Sequence, residues 1–126
     1  MFSIDIFSRV AVYEQIIKQA EDYVSKGLLN PGDKIPSVRN LSVTLSVNPN
    51  TIQKAYSELD LRGIIFSVPG KGCFIAENAK EIVNQKKREK LDILSSLIKE
   101  LAVAGTPKED IQALIDSIYT NKEEKQ

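Results

Sequence analysis

The chain has no histidine, no tryptophan and a single cysteine, Cys73. Without histidine there is no imidazole metal ligand and no Ser-His or Cys-His pair, so nucleophile–base turnover is not expected and the chain does not read as an enzyme. One cysteine excludes an internal disulfide framework and fits a reducing, cytoplasmic setting. Cys73 itself reads as a half-buried strand residue rather than a redox switch. No run of about 18 apolar residues occurs, so no membrane span is expected. The start, MFSIDIFSRV, lacks the basic segment and long apolar stretch of a signal peptide. A phosphate-binding loop is absent as well: Gly70 and Gly72 are followed neither by Lys-Ser/Thr nor directly by a helix. Nothing in the carboxylate spacing suggests a metal site, and no cofactor is expected.

An excess of charge of either sign is also missing, with 17 Lys and Arg against 17 Asp and Glu. That balance gives no general affinity for polyanions, but its distribution is uneven. Lys34 to Lys71 holds five basic residues (Lys34, Arg39, Lys54, Arg62, Lys71) against Glu58 and Asp60. The segments on either side carry slightly more acid than base. The centre of the chain is where the local field favours phosphate, though the excess is small.

What is present is organised. A chain of 126 residues that is 42% hydrophobic can bury one modest core and carry a helical appendage. FSIDIF alternates apolar and polar residues, which predicts a short extended lead-in. Val12, Ile16, Ala20 and Val24, widened by Tyr13 and Ile17, form the stripe of an amphipathic helix, with Gly27 placed to end it. Pro31-Gly32 marks a turn, and Lys34-Ile35-Pro36 a short extended piece. Ser37 suits the N-cap of a helix over Val38 to Leu45, with Val38, Leu41 and Leu45 inward. SVNPN is then an interhelical turn, in which Asn48 caps and Pro49 opens a helix that runs to about Arg62 before Gly63 ends it. Ile52, Ala55, Tyr56 and Leu59 are its buried stripe. Ile64 to Val68 and Cys73 to Ala76 are strand-prone arms around Pro69-Gly70-Lys71-Gly72, a hairpin with an exposed cationic tip.

After Ala76 the composition shifts. Glu77 to Ala104 reads as one charged helix, and Gly105 breaks it. Thr106-Pro107-Lys108-Glu109 has the form of an N-cap, first-turn proline and capping-box glutamate for a second helix, and the tail NKEEKQ is expected to fray. Two apolar stripes result, Leu91, Leu94, Ile98 and Leu101 on one helix and Ile111, Leu114, Ile115 and Ile118 on the other. About 50 residues in two helices cannot cover both stripes alone, so a second chain is expected to do so.

A helix-turn-helix followed by a hairpin reaches a major groove and the adjacent backbone together. With Ile52, Ala55 and Leu59 inward, Asn50, Gln53, Lys54 and Ser57 lie outward, and Thr51 sits near the helix start. Asn and Gln can pair with both edge groups of adenine, and Lys can reach guanine or phosphate. Arg39 stands in the first turn of its helix, where a cation opposes the helix dipole, so an anionic partner explains it better than helix stability does. Lys71, flanked by glycines, can approach a groove or backbone closely. Lys86-Lys87-Arg88 with Lys90 reads as a solvated helix face more than as a DNA contact.

Taken together, VYEQIIKQAEDYVSKGLLNPGDKIPSVRNLSVTLSVNPNTIQKAYSELDLRGIIFSVPGKGCFI resembles the winged-helix domain of GntR-family transcription regulators. Tyr13-Glu14-Gln15, Pro31-Gly32-Asp33, Pro36-Ser37-Val38-Arg39, Asn50-Thr51, Gly63 and Pro69-Gly70-Lys71-Gly72 fall in that family's order and spacing. The short two-helix end is similar to the YtrA-like subfamily, which lacks a large effector domain. The resemblance implies a homodimeric repressor of a nearby transporter operon and of its own gene. It also implies phosphate contact by Arg39, a recognition helix that starts over Asn48 to Lys54, and a wing tip at Gly70 to Gly72. Many members carry arginine where this chain has Pro49, and a basic residue where it has Gln53. That moves the base readers to Asn50, Thr51, Gln53 and Lys54.

The expected architecture is α+β, mostly α: a winged helix-turn-helix over residues 1–76 and a two-helix dimerisation arm over 77–126. The residues expected at double-stranded DNA are Lys34, Ser37, Arg39, Asn48, Asn50, Thr51, Gln53, Lys54, Gly70, Lys71 and Gly72, on an inverted-repeat operator. The rival reading is a winged helix used as a protein-interaction or assembly module. Nothing in the residues names an effector.

Overall fold

The computed structural model describes residues 1–124, in the order α1 (Val12–Ser25), β1 (Lys34–Ile35), α2 (Val38–Leu45), α3 (Pro49–Leu61), β2 (Ile65–Val68), β3 (Gly72–Ile75), α4 (Ala79–Val103) and α5 (Lys108–Glu124). Five helices and a three-stranded sheet make the expected mostly helical α+β fold. The described chain forms two compact units, one over Met1–Lys86 and one from Lys87 onward.

In the first unit the apolar stripes meet in one core. Ile16, Ile17, Ala20 and Val24 of α1 pack with Leu41 of α2 and with Ile52, Ala55, Tyr56 and Leu59 of α3. Ile35, Ile65 and Ile75 close the core from the sheet, and Ala79 and Val83 from the first turns of α4. Residues beyond Ala76 therefore complete this core. Val38 and Leu45 are half-buried against it, and Ser42 of α2 is buried. Helices α1 and α3 run side by side in the same sense. Lys54 lies over Tyr13 near their starts and Arg62 meets Glu21 near their ends, each pair 41 residues apart.

The sheet has the order β1-β3-β2, antiparallel throughout. Lys34, Phe74 and Phe66 form one row across it, and the two rings stack with centroids 5.8 Å apart. Between β2 and β3 the Lys71 amide donates to the Val68 carbonyl at 2.9 Å, while Gly70 has φ +76. Pro69 at the second position and a positive-φ glycine at the third are what a type II turn requires.

All four helices α1 to α4 end on the same pair of backbone bonds. In α1 the Gly27 amide donates to the Val24 carbonyl and the Leu28 amide to Tyr23; in α3 the Gly63 amide donates to Asp60 and the Ile64 amide to Leu59. Gly105 and Thr106 repeat this in α4. In α2 the left-handed position belongs to Ser46, at φ 55, and not to a glycine. This double bond satisfies carbonyls that would otherwise be orphaned at a helix end.

The lead-in Phe2 to Phe7 pairs with no strand; α1 supplies its partners. Gln19 accepts from the Ser3 amide at 3.0 Å and donates back to the Ser3 carbonyl. Gln15 does the same for Asp5, accepting at 2.8 Å and donating at 3.0 Å. Phe2 is thereby buried, its ring edge-on to Tyr23.

In the second unit, α5 continues through the first residues of the tail expected to fray; Lys125 and Gln126 of that tail lie outside the described residues. Leu91, Leu94, Leu101, Leu114, Ile115 and Ile118 are exposed, and Ile98 and Ile111 are half-buried. Ile93, Leu97 and Tyr119, which the two expected stripes leave out, are exposed beside them.

Candidate nucleic-acid interface

The start of α3 is built by its caps. The Asn48 side chain accepts from the Asn50 amide at 2.8 Å, and Pro49 occupies the first helical position, where it removes no hydrogen bond. Core packing of Ile52, Ala55, Tyr56 and Leu59 then fixes the helix rotation, leaving Asn50, Gln53 and Ser57 exposed and Thr51 half-buried. Gln53 Nε2 donates to Ser57 Oγ at 3.1 Å, which leaves its carbonyl oxygen and one amide hydrogen for another partner.

Lys54 faces elsewhere. Its Nζ lies 3.9 Å from the centroid of the Tyr13 ring, an arrangement the ring's quadrupole favours. The structure thus ties Lys54 to α1 while its neighbours Asn50 and Gln53 remain on the open face.

Helix α2 is capped by Ser37, whose Oγ accepts from the Asn40 amide at 3.0 Å. Arg39 follows in the first turn, exposed, and it takes part in no ion pair among the described residues. A local salt bridge therefore does not account for a cation at this end of a helix. The entry into α2 is held from below: the Tyr56 hydroxyl donates to the Pro36 carbonyl at 2.6 Å. Burial first, and the neighbouring Cys73 thiol second, push this hydroxyl well above the ordinary tyrosine range, so it remains a donor. Tyr56 was expected only as core. Its second role leaves no signal in the sequence, because the partner is a backbone oxygen 20 residues away.

At the wing, Gly70 and Lys71 are exposed at the tip. Gly72, at φ +115, lies under the Lys34 side chain. Lys34 is exposed on the outward row of the sheet, so the structure brings Lys34 and Gly72 together at the wing base. Of the basic run on α4, Lys86 is paired with Glu21 at 3.0 Å.

Among the described residues no group of His, Cys, Asp or Glu could hold a metal ion, and no helix is long and apolar enough to cross a membrane. A capped helix-turn-helix with an outward polar face, flanked by a sheet with a lysine at its hairpin tip, is the architecture of a DNA-binding transcription regulator.

The comparisons with known proteins agree. Residues 12–75 match the bacterial regulatory proteins of the gntR family. The chain is 41% identical over 119 residues to the HTH-type transcriptional repressor YtrA of Bacillus subtilis, spanning 94% of this chain and 92% of that one. It superposes on a transcriptional regulator from Oenococcus oeni with a TM-score of 0.70 at 34% identity, covering 92% of this chain and 97% of the other. The DNA-binding domain of AraR, solved in complex with operator ORE1, aligns at a TM-score of 0.51 and 29% identity over 58% of this chain and 89% of that chain. This chain belongs to the gntR family of bacterial regulators, is YtrA-like, and is a transcription regulator, not an enzyme.

Proposed function

We propose that the chain is a cytoplasmic homodimeric repressor that reads an inverted-repeat operator. The observation that carries this reading is the rotation of α3. The core takes Ile52, Ala55, Tyr56 and Leu59, and the opposite face offers Asn50 and Gln53 beside a capped, positive helix end. Arg39, Lys34 and Lys71 supply exposed cations that suit phosphate, while Ser37 and Asn48 hold the two helix starts and Gly70 and Gly72 shape the wing. On this reading residues 1–76 read DNA and 77–126 associate, with Ala79 and Val83 of α4 also packing into the core of the reading unit.

Support for the dimer comes from the second unit. Leu91, Leu94, Leu97, Leu101, Leu114, Ile115 and Ile118 are each 38% or more exposed, a concentration of apolar surface that water disfavours and a second copy would cover. The targets, by resemblance to YtrA-like regulators, are a neighbouring transporter operon and the chain's own gene.

Selection of random duplex DNA with the purified full chain tests the reading. It should return an inverted repeat with half-site centres about 10 base pairs apart or a multiple of that turn. Recovery of no motif, with binding that ignores sequence, would favour the protein-interaction module instead.

A further inference from the structure

The turn ahead of α1 holds apolar and basic side chains out in water. The lead-in runs back along α1, Ser3 bonded by Gln19 and Asp5 by Gln15, and so travels toward the start of that helix. It then overshoots and returns at Val10, whose carbonyl accepts from the same Gln15 side chain at 2.9 Å. Within the loop the Asp5 carboxylate accepts from the Phe7 amide at 2.9 Å, and Ser8 Oγ accepts from the Val10 amide at 3.0 Å. The backbone is braced at both ends and inside, yet Ile6 and Phe7 are 72% and 90% exposed. Arg9 beside them is exposed too, and it takes part in no ion pair among the described residues. A turn held this firmly, with none of its large side chains buried, presents them to a partner.

The partner follows from where the turn lies. Helices α1 and α3 run side by side in the same sense, with Lys54 over Tyr13 and Arg62 at Glu21, so their starts share one end of the unit. That end carries Asn50 and the capped start of α3. The turn projects past the start of α1 and therefore stands beside the face offered to DNA. Its neighbouring carboxylates are engaged, Asp5 by the Phe7 amide and Glu14 by the Tyr13 hydroxyl at 3.1 Å, which leaves Arg9 as the turn's free charge.

We infer that the turn over residues 5–10 is a third DNA-contact element, beside α3 and the wing, in which Arg9 meets a backbone phosphate and Phe7 packs on the adjoining deoxyribose. The inference rests on the DNA-reading face proposed above. It concerns residues ahead of the segment that matches the family, which begins at residue 12. A guanidinium suits phosphate, and the sugar is the apolar part of the backbone next to it. Contacts of this kind add affinity without choosing sequence.

The experiment is hydroxyl-radical footprinting of the full chain on its selected operator, with affinity measured against salt. Wild type comes first: if it protects no specific site, the DNA reading itself fails and this inference with it. Given a footprint, Arg9→Ala should weaken binding about fivefold on operator and random duplex alike and lower the salt slope by about one per subunit. Phe7→Ala should weaken binding about threefold with the slope unchanged. Both variants should lose one and the same patch of sugar protection and keep the rest, and both should select the wild-type motif. Arg9→Lys should restore the slope. A wild-type footprint and slope in Arg9→Ala overturn the inference. So does a reduced slope with every protected sugar retained, because Arg9 would then act only as a remote charge. Loss of the dimer mass in Phe7→Ala also overturns it, since the turn would then be covered by a second copy of the chain.

Discussion

The Lys34 side chain lies across Gly72, its Cε 2.9 Å from where a Cβ on that glycine would stand. Gly72 has φ +115, a conformation that side-chain-bearing residues rarely adopt. Gly72→Ala therefore meets two obstacles. The lysine stem is flexible and can swing aside, so the contact is relieved cheaply; the backbone cannot adjust as easily and should cost about 1–3 kcal/mol in a urea melt. Displaced Lys34 should also weaken binding to operator and random DNA alike.

Arg39→Ala should reduce affinity about equally on operator and random duplex, because a phosphate contact positions without reading sequence. The slope of log affinity against log salt should fall by about one per subunit. A loss confined to the operator would mean that Arg39 reads bases.

Gln53→Ala should cost about 1–3 kcal/mol on the preferred operator and relax the choice at one base pair in each half-site. Lys54→Met is expected to behave differently. Its ammonium is engaged by Tyr13, so the selected motif should match wild type while thermal stability falls slightly. Selection with both variants separates the two residues.

Replacing Leu94 and Leu101 together by Asp should yield monomers by sedimentation, since each charge would enter a dimer interface without a partner. The two leucines are 48% and 45% exposed in the isolated chain, so the monomer itself should fold normally and keep its helical signal.

Ser46→Gly should raise stability by about 0.5–1 kcal/mol, read as a shifted denaturant midpoint. Serine stands there at φ 55, and glycine removes the side-chain strain of that conformation.

Ser46 also marks where the sequence stops being legible. Gly27, Gly63 and Gly105 announce their helix ends because glycine is the usual occupant of a left-handed cap. The end of α2 uses the same two backbone bonds with a residue that signals nothing. The stripes of α1 and α3, the caps at Ser37 and Asn48 and the wing turn could be read directly, because each depends on local spacing or a local side chain. The buried strand pattern and the β1 pairing with β3 follow less directly, since register needs partners far along the chain. What stayed hidden in the site were contacts between helices: Lys54 on Tyr13, Arg62 and Lys86 on Glu21, and Tyr56 on Pro36. An outward-facing lysine at position 54 follows from periodicity, but which way its long stem folds depends on an aromatic ring 41 residues earlier.

The lead-in segment carries a different lesson about where information is stored. Its path is written on α1, at Gln15 and Gln19, whose amides bond the backbone of Asp5 and Ser3 and ignore the side chains there. Position 3 can therefore drift among most residue types without moving the chain, whereas Asp5 is held to its identity because its Oδ1 accepts from the Phe7 amide at 2.9 Å, and proline at either position would delete a donor. The two glutamines, Asp5 and the anchor Phe2 are the residues under constraint. Mutational tolerance at this end of the protein should thus follow the helix that reads the backbone more than the segment being read.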